Sequence, residues 1–478
     1  MRNRNKRPPG PGATDLRRRQ LMAGFAAAAG VAMIDGCGSS MSPESGSPGA
    51  GLEQDPAALP NPADSGIENI IVVMMENRSF DHYLGWLPGA DGMQAGLSYT
   101  DTKGKTSSTY PLAPQFQGCE FQDPNHSHEG GLIQYNNGSN NGFLLTSPDT
   151  FPIGYYRQQD LDFHGQATPA WTTYDRYFCG IMAETYPNRF YMHSAQMPVL
   201  HNSEATTVSG LETISTLPAI WDKLAAAGVS ANYYFNDVPF TALYGAKYLG
   251  ISQPYAAFLL DCAAGTLPSV SYVDPSFEDE GEGTSRDDHP FADIRNGQAF
   301  LNEIYNAVTS SPQWSKTALF INYDEWGGFF DHVPPPMAGV IPPFDLAAFM
   351  KDKETPSSLL GFRVPVLAIS PYARRGHVSH TQYDHTSILK MIEWRWGLTP
   401  LTARDAQANN IARSLDFTSA PNLSVPSFSV PTGPFGEVCS LNSLAPGSTA
   451  AAIRAQHFAE YRTLRELAIK QGFMRGRS

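Results

Sequence analysis

Asn69-Ile70-Ile71-Val72-Val73-Met74-Met75-Glu76-Asn77-Arg78-Ser79-Phe80-Asp81-His82-Tyr83-Leu84-Gly85 is the stretch that decides how this chain folds. The run from Asn69 to Met75 is apolar and of strand length, and it stops abruptly at Glu76, Asn77 and Arg78. That pattern predicts a buried parallel strand delivering a carboxylate and an amide oxygen to its carboxyl end. Ligands bind at such ends in open α/β sheets.

The design recurs far along the chain, where strand-like Thr317-Ala-Leu-Phe-Ile-Asn-Tyr323 runs into Asp324-Glu325-Trp326-Gly327-Gly328 and then Asp331-His332. Three carboxylates and an amide oxygen converging on one spot repel one another unless a cation sits among them, and an all-oxygen set suits a divalent metal. Taken singly, each carboxylate serves equally well as the cap of the turn or helix after its strand.

Ahead of this core, a basic stretch ending in Arg17-Arg18-Arg19 precedes the short apolar run Leu21–Ile34. Such a run is too short to span a bilayer comfortably but suits a signal peptide, and adjacent arginines suggest twin-arginine export. Ile34-Asp35-Gly36-Cys37 also resembles a lipoprotein processing site, which would anchor the exported chain through Cys37. Residues 1–37 are therefore read as a leader and the Ser/Gly/Pro-rich residues 38–65 as a flexible linker. A catalytic domain with a helical tail is expected over 66–478. Removing the leader takes away seven basic and two acidic residues, so the net charge moves from −13 to −18. That balance argues against a nucleic-acid partner. Cys119, Cys179, Cys262 and Cys439 remain, enough for two disulfides or for buried free thiols.

From Pro88 to Phe151 the sequence predicts long loops and short strands over the sheet's carboxyl edge, including Asp123-Pro-Asn-His126-Ser-His128-Glu129. A helical pattern through Ala170, Tyr174 and Tyr177 comes next. In Glu184-Thr185-Tyr186-Pro187-Asn188-Arg189, Thr185 stands where a helix N-cap belongs. A cap is one reading. The other is a nucleophile, because phosphate binds at helix N-termini. A helix over Ala219–Ala227 and a strand from Ala231 give a βαβ rhythm. Ser269–Val273 is a strand ending at Asp274. The acidic loop Glu278–Glu282 is expected in solvent, with a weaker Ca²⁺ site as the alternative. Helices over Ile294–Val308, Ile388–Trp396 and Ala450–Gln471 and a core strand over Val364–Ser370 complete the chain.

With Glu76-Asn77-Arg78-Ser79-Phe80-Asp81-His82, Thr185-Tyr186-Pro187-Asn188-Arg189, Asp287-Asp288-His289-Pro290 and Asp324-Glu325-Trp326-Gly327-Gly328 in this order, the chain resembles the bacterial phosphoesterase family over roughly residues 66–400. That family contains phospholipases C and a group of acid phosphatases. The resemblance implies an α/β, alkaline-phosphatase-like three-layer sandwich with a mostly parallel central sheet. It also implies one divalent metal (Ca²⁺, Zn²⁺, Mg²⁺ or Mn²⁺) held by Glu76, Asn77, Asp324 and Glu325, with the Thr185 hydroxyl as a further ligand and the nucleophile. His126 and His289 match histidines that contact the phosphate, one of them acting as the acid for the leaving alkoxide. Trp326 departs from the pattern, since many members have His there, and the long C-terminal extension of the larger phospholipases is absent.

The expected activity is thus metal-dependent phosphoester hydrolysis on a phospholipid, of phospholipase C type, or on a small phosphoester, of acid phosphatase type. A peripheral or lipid-anchored membrane contact fits the first. A non-catalytic exported metal-binding protein is the reading from another class, and it requires Thr185 to be only a cap. Export itself is checked by mass spectrometry of the protein outside the cell: the expected product lacks residues 1–36 or so, and retention of Met1 would overturn the leader assignment.

Overall fold

Asn69–Met75 forms strand β1, buried at every position. Its partner Thr317–Tyr323 is likewise buried throughout, and the two pair in parallel from Asn69↔Thr317 to Met75↔Tyr323. A strand hidden on both faces needs cover on both, so these runs are continuously apolar rather than alternating. The register sets Glu76 beside Asp324 at the same edge. Asp324 N–H continues the ladder to Met75 O at 3.0 Å.

The computed structural model describes residues 55, 58–203, 215–338, 358–439 and 449–475, all within the unit Leu52–Ser478. Residues 1–37, and the linker before Asp55, lie outside the described residues. Asp55 is already held: its carboxylate accepts hydrogen bonds from Ser379 and from Tyr383 Oη. The ordered body therefore reaches back into the stretch expected to be a flexible tether.

The strands of the central sheet are β1, β2 (Thr172–Tyr174), β3 (Ala231–Phe235), β4 (Ser252–Pro254), β5 (Val270–Val273), β6 (Thr317–Tyr323), β7 (Leu367–Ile369) and β8 (His377–Ser379). Their spatial order is β8-β2-β7-β6-β1-β5-β3-β4. All run in one direction except β7, which is antiparallel to both neighbours. The α/β architecture with a mostly parallel sheet is thus as expected, with β1 at its centre.

The sheet is accompanied by helices α1 (Phe80–Leu84), α2 (His128–Tyr135), α3 (Thr185–Ser194), α4 (Ile294–Thr309), α5 (His385–Trp396) and α6 (Thr449–Gln471). In α4 the buried Phe300, Leu301, Ile304, Tyr305 and Val308 repeat at helical spacing and face the core. Asp293 caps its start, with Arg295 N–H on Oδ1 at 3.1 Å. Asp384 caps α5 through Thr386 N–H at 2.7 Å.

Several sequence expectations are corrected. The pattern through Ala170, Tyr174 and Tyr177 is not a helix: a short helix over His164–Ala167 gives way to β2 and to the strand Tyr177–Phe178. Spacing mimicked a helical face, but Thr172, Thr173 and Tyr174 are good strand residues and find partners on β7 and β8. α2 arises inside the supposed loop region because Ser127 Oγ accepts Gly130 N–H at 3.1 Å and caps it. Thr185 is the first helical residue rather than the cap, which is Glu184. Of the cysteines, Cys119 and Cys439 form one disulfide, while Cys179 and Cys262 are buried free thiols.

Beyond the strand ends, the two acid motifs are locked by a second set of charges. Arg363, fully buried, donates from Nη2 to Asp81 Oδ1 at 3.0 Å and from Nε to Asp331 Oδ1 at 2.9 Å. His332 bonds Asp81 Oδ2 through Nδ1 at 2.5 Å and Asp91 Oδ1 through Nε2 at 3.1 Å. Burial alone would depress the His332 imidazolium, but its bonds to Asp81 and Asp91 outweigh burial and raise its pKa to about 9. A folded pKa above the unfolded value of about 6.5 means that this stabilisation is full below pH ~6.5 and is lost as pH rises through ~9. Thermal unfolding of parent and His332→Gln across pH 6–10 is therefore expected to show a stability gap that is widest at the acid end and narrows through pH ~9. A gap independent of pH would contradict the ion-pair assignment.

Candidate active site

At the carboxyl edge of β1 and β6 the chain turns sharply. Asn77 adopts φ 57°, in the left-handed region that Asn tolerates better than most residues. Its backbone N–H donates to Asp324 Oδ1 at 3.2 Å, and Glu325 N–H donates to the same oxygen at 2.7 Å. Arg78 N–H returns to Glu325 O at 3.1 Å. The two motifs are thereby stitched by main chain. Gly327 lets them approach: it has φ +64°, its N–H donates to Glu325 Oε2 at 2.7 Å, and a Cβ there would stand 2.2 Å from Asn77 O.

Glu76, Asn77, Asp324 and Glu325 are all fully buried. Asn77 Oδ1, Asp324 Oδ2 and Glu325 Oε1 have no hydrogen-bond donor among the described residues. Buried acceptors are normally satisfied, so orphans at the end of one strand pair call for a ligand. Burial pushes the pKa of Glu76, Asp324 and Glu325 upward, and the charge of Asp324 adds to it for Glu76 and Glu325. An all-oxygen set of this kind suits a divalent cation by its chemistry; of the expected ligands, the structure groups Glu76 with Glu280 and Asp287, their ligand atoms within 4.8 Å of one another, and does not group it with Asp324 and Glu325.

One cation of the protein stands among them. Arg189 of α3 is fully buried and donates from Nη1 to Asp274 Oδ1 at 3.0 Å and from Nη2 to Glu76 Oε1 at 3.2 Å; its Nε lies 3.5 Å from Asp324 Oδ2. Its guanidinium sits over Phe240, 4.1 Å from the ring centroid. Burial still carries Asp274 up to about 6 despite Arg189. Thr185 lies four residues before Arg189, on the same helix face. Thr185 itself, the first residue of α3, is 2% exposed. Glu184 makes no side-chain cap bond; instead Asn202 Oδ1 accepts Tyr186 N–H at 2.8 Å, and Asn202 N–H donates to Glu184 Oε2 at 2.5 Å.

His126 and His289 come together although 163 positions apart in the chain, with ring centroids 5.8 Å apart and nearly perpendicular. A ligand atom of each lies within 4.8 Å of a carboxylate oxygen of Asp123. His126 bonds Pro124 O through Nδ1 at 2.8 Å and His289 bonds Pro290 O through Nδ1 at 3.0 Å. Each Nδ1 thus carries a proton, leaving Nε2 as the nitrogen that exchanges one. His289 Nδ1 lies 3.5 Å from Glu280 Oε2, and a Glu280 oxygen in turn lies within 4.8 Å of one of Glu76, which sets the histidine pair beside the acid cluster. Arg78 fixes the His289 loop: its Nε donates to Asp288 O at 2.7 Å. Trp326, which departs from the family pattern, is fully buried and donates from Nε1 to Gln134 Oε1 at 2.8 Å, bracing α2 against the end of β6.

The structure also adds residues that the sequence left unassigned. Asp123, Arg189 and Asp274 stand within or beside the sequence motifs, and the structure gives them partners at the site. Glu280 overturns the expectation of a solvated acidic loop: it is fully buried, within 4.8 Å of Glu76 and Asp287 oxygens. The cause is Asp237, whose carboxylate takes Phe277 N–H at 2.7 Å and Glu278 N–H at 2.9 Å and folds the turn inward.

The carboxyl edge of this mostly parallel sheet thus holds buried acid and amide oxygens without donors, at the edge where α/β enzymes bind their ligands. The Phosphoesterase family matches residues 67–399. The chain belongs to that family and is a hydrolase acting on phosphoester bonds. It is 32% identical over 406 residues to non-specific phospholipase C1 of Arabidopsis thaliana, covering 77% of this chain and 74% of that one. Phospholipase C B of Mycobacterium tuberculosis is 32% identical over 426 residues, covering 76% and 80%. Among solved structures, a protein of the alkaline phosphatase superfamily from Vibrio parahaemolyticus aligns with a TM-score of 0.34 and 10% identity, covering 72% of this chain and 70% of that one.

The stitching of the two motifs is tested with glycine substitutions. Gly397→Ala, at φ +63° with open space around it, is expected to cost about 1–2 kcal/mol for the left-handed backbone alone. Gly327→Ala adds a clash with Asn77 O and is expected to cost clearly more and to lower phosphoesterase activity. Equal costs in urea unfolding would show that the close approach carries no weight.

Proposed function

We propose that this protein is a metal-dependent phosphodiesterase of phospholipase C type that works through a phosphothreonine intermediate on Thr185. The observation that carries the reading is the set of buried oxygens without donors, Asn77 Oδ1, Asp324 Oδ2 and Glu325 Oε1; Thr185, four residues before Arg189 on α3, is the hydroxyl we assign to the same sheet edge. Phospholipase C relatives at about 30% identity support the lipid substrate.

Glu76, Asn77, Asp324 and Glu325 would hold the cation, with Thr185 Oγ1 as a further ligand. When bound, a divalent cation there supplies positive charge to the phosphate oxygens and lowers the proton affinity of the Thr185 hydroxyl. Thr185 gives up its hydroxyl proton to solvent, and Oγ1 attacks phosphorus in line as the bond from phosphorus to the glycerol oxygen breaks. His289 or His126 gives its Nε2 proton to the departing oxygen, releasing diacylglycerol. Water then attacks phosphorus and gives a proton to the Nε2 left bare in the first step, the bond to Thr185 Oγ1 breaks, Oγ1 regains a proton from solvent, and the phosphorylated head group leaves. The start of α3 favours negative charge at the same place. Arg189 keeps Glu76, Asp274 and Asp324 in position and partly neutralised while substrate exchanges.

The leader expected over residues 1–37 supports a location outside the cytoplasm, with an anchor through Cys37 if that residue is acylated. No helix among the described residues is long and apolar enough to cross a membrane.

Thr185→Ala is expected to keep the fold but to lose several orders of magnitude in turnover of phosphatidylcholine, whereas Thr185→Ser retains measurable activity. A chelator is expected to abolish parental turnover, and a divalent cation to restore it. Near-parental rates in Thr185→Ala would replace Thr185 by a water nucleophile. Faster turnover of a simple phosphomonoester than of phosphatidylcholine would assign the enzyme to the acid phosphatases instead.

A further inference from the structure

The C-terminal helix α6 reaches the acid cluster from the far end of the chain. Tyr461 Oη donates to Glu76 Oε2 at 2.6 Å across a separation of 385 residues. The contact is built rather than incidental. The Tyr461 side chain is 4% exposed, its ring stacks on Phe277 at 5.4 Å and 10°, and it meets Phe240 edge-on at 6.4 Å. Phe240 and Phe277 are the rings over which Arg189 lies. Leu464 and Ala468, one and two turns further along α6, are buried, and Arg465 pairs with Glu278. Upstream, the chain leading to α6 is fastened by Cys119–Cys439 and by Phe435 N–H on Asn296 Oδ1 at 2.8 Å.

Glu76 is therefore gripped from two sides, Oε1 by Arg189 and Oε2 by Tyr461. Each carboxylate oxygen has two lone pairs, so these bonds fix the rotamer without exhausting the oxygens as ligands. Residues that hydrogen-bond a metal-holding carboxylate set its orientation, and their loss typically weakens metal affinity or activity by 10–100-fold.

We infer that Tyr461 is a positioning residue of the active site: its hydroxyl holds Glu76 in the orientation that receives the cation, so that α6 completes a site otherwise built from residues 76–325. The inference rests on the metal reading of the proposed function.

The test titrates Ca²⁺ and, separately, Mn²⁺ into metal-free protein by calorimetry for the parent, Tyr461→Phe and Arg465→Met. Tyr461→Phe keeps the ring stack and removes only the hydroxyl. It is expected to bind the cation about 10–100-fold more weakly, to melt within about 4 °C of the parent when metal-free, and to regain turnover as the cation is raised. Arg465→Met loosens the same helix away from Glu76 and is expected to keep the parental affinity. Parental affinity in Tyr461→Phe overturns this inference alone, and so does an equal loss in Arg465→Met, which would make the effect one of helix docking. Absence of binding by the parent overturns it together with the metal reading.

Discussion

One interaction organises the centre of this molecule: several buried carboxylates at the ends of parallel strands are set against a single buried arginine. Glu76, Asp274, Asp324 and Glu325 close β1, β5 and β6 in full burial or nearly so, and Arg189 reaches three of them. Adjacent charges of one sign in a dry site are costly, and one guanidinium does not balance four acids. Packing at the sheet edge reflects this imbalance. Main-chain donors crowd onto Asp324 and Glu325, the Phe240 and Phe277 rings shield Arg189, and His385 Nε2–H donates to the Asp324 carbonyl at 2.6 Å. The imbalance is also the physical basis for expecting a divalent cation.

The neighbouring Asp81–Arg363–Asp331–His332 network makes a useful contrast. That cluster gathers two acids and a histidine whose ligand atoms lie within 4.8 Å of one another. There, however, the guanidinium bonds both carboxylates and the imidazole takes a third, so donors and acceptors are matched. A matched cluster fixes two loops. An unmatched one, with acceptor oxygens lacking donors, has chemistry left to do. Satisfaction of hydrogen bonds, more than the identity of the residues, is what separates the two groups.

The central strands were legible because a continuous apolar run that halts at acids fits little besides a buried strand opening onto a polar site, and β1 and β6 stand where the sequence puts them. Thr185 was legible as a helix start to within one residue. What failed was periodicity in a short window: Ala170, Tyr174 and Tyr177 match a helical face, yet Thr172–Tyr174 joins the sheet because strands on both sides offer partners. Local composition also misled at Glu278–Glu282, where a run of acids suggests solvent but Asp237 turns Glu280 inward. Arg189 lay inside a quoted motif, and its spacing of four from Thr185 was the signal that could have given it a role. Tyr461 had no such signal, since nothing in the local sequence of α6 announces a contact with a residue hundreds of positions earlier.

The central claim is that Thr185 becomes covalently attached to phosphorus. The most direct measurement is mass spectrometry of peptides from enzyme quenched in acid during turnover of phosphatidylcholine. A phosphocholine adduct is expected on the peptide containing Thr185, lost when the enzyme is left to exhaust its substrate and absent from Thr185→Ala. An adduct on a different residue, or none in enzyme quenched at full turnover, would contradict it.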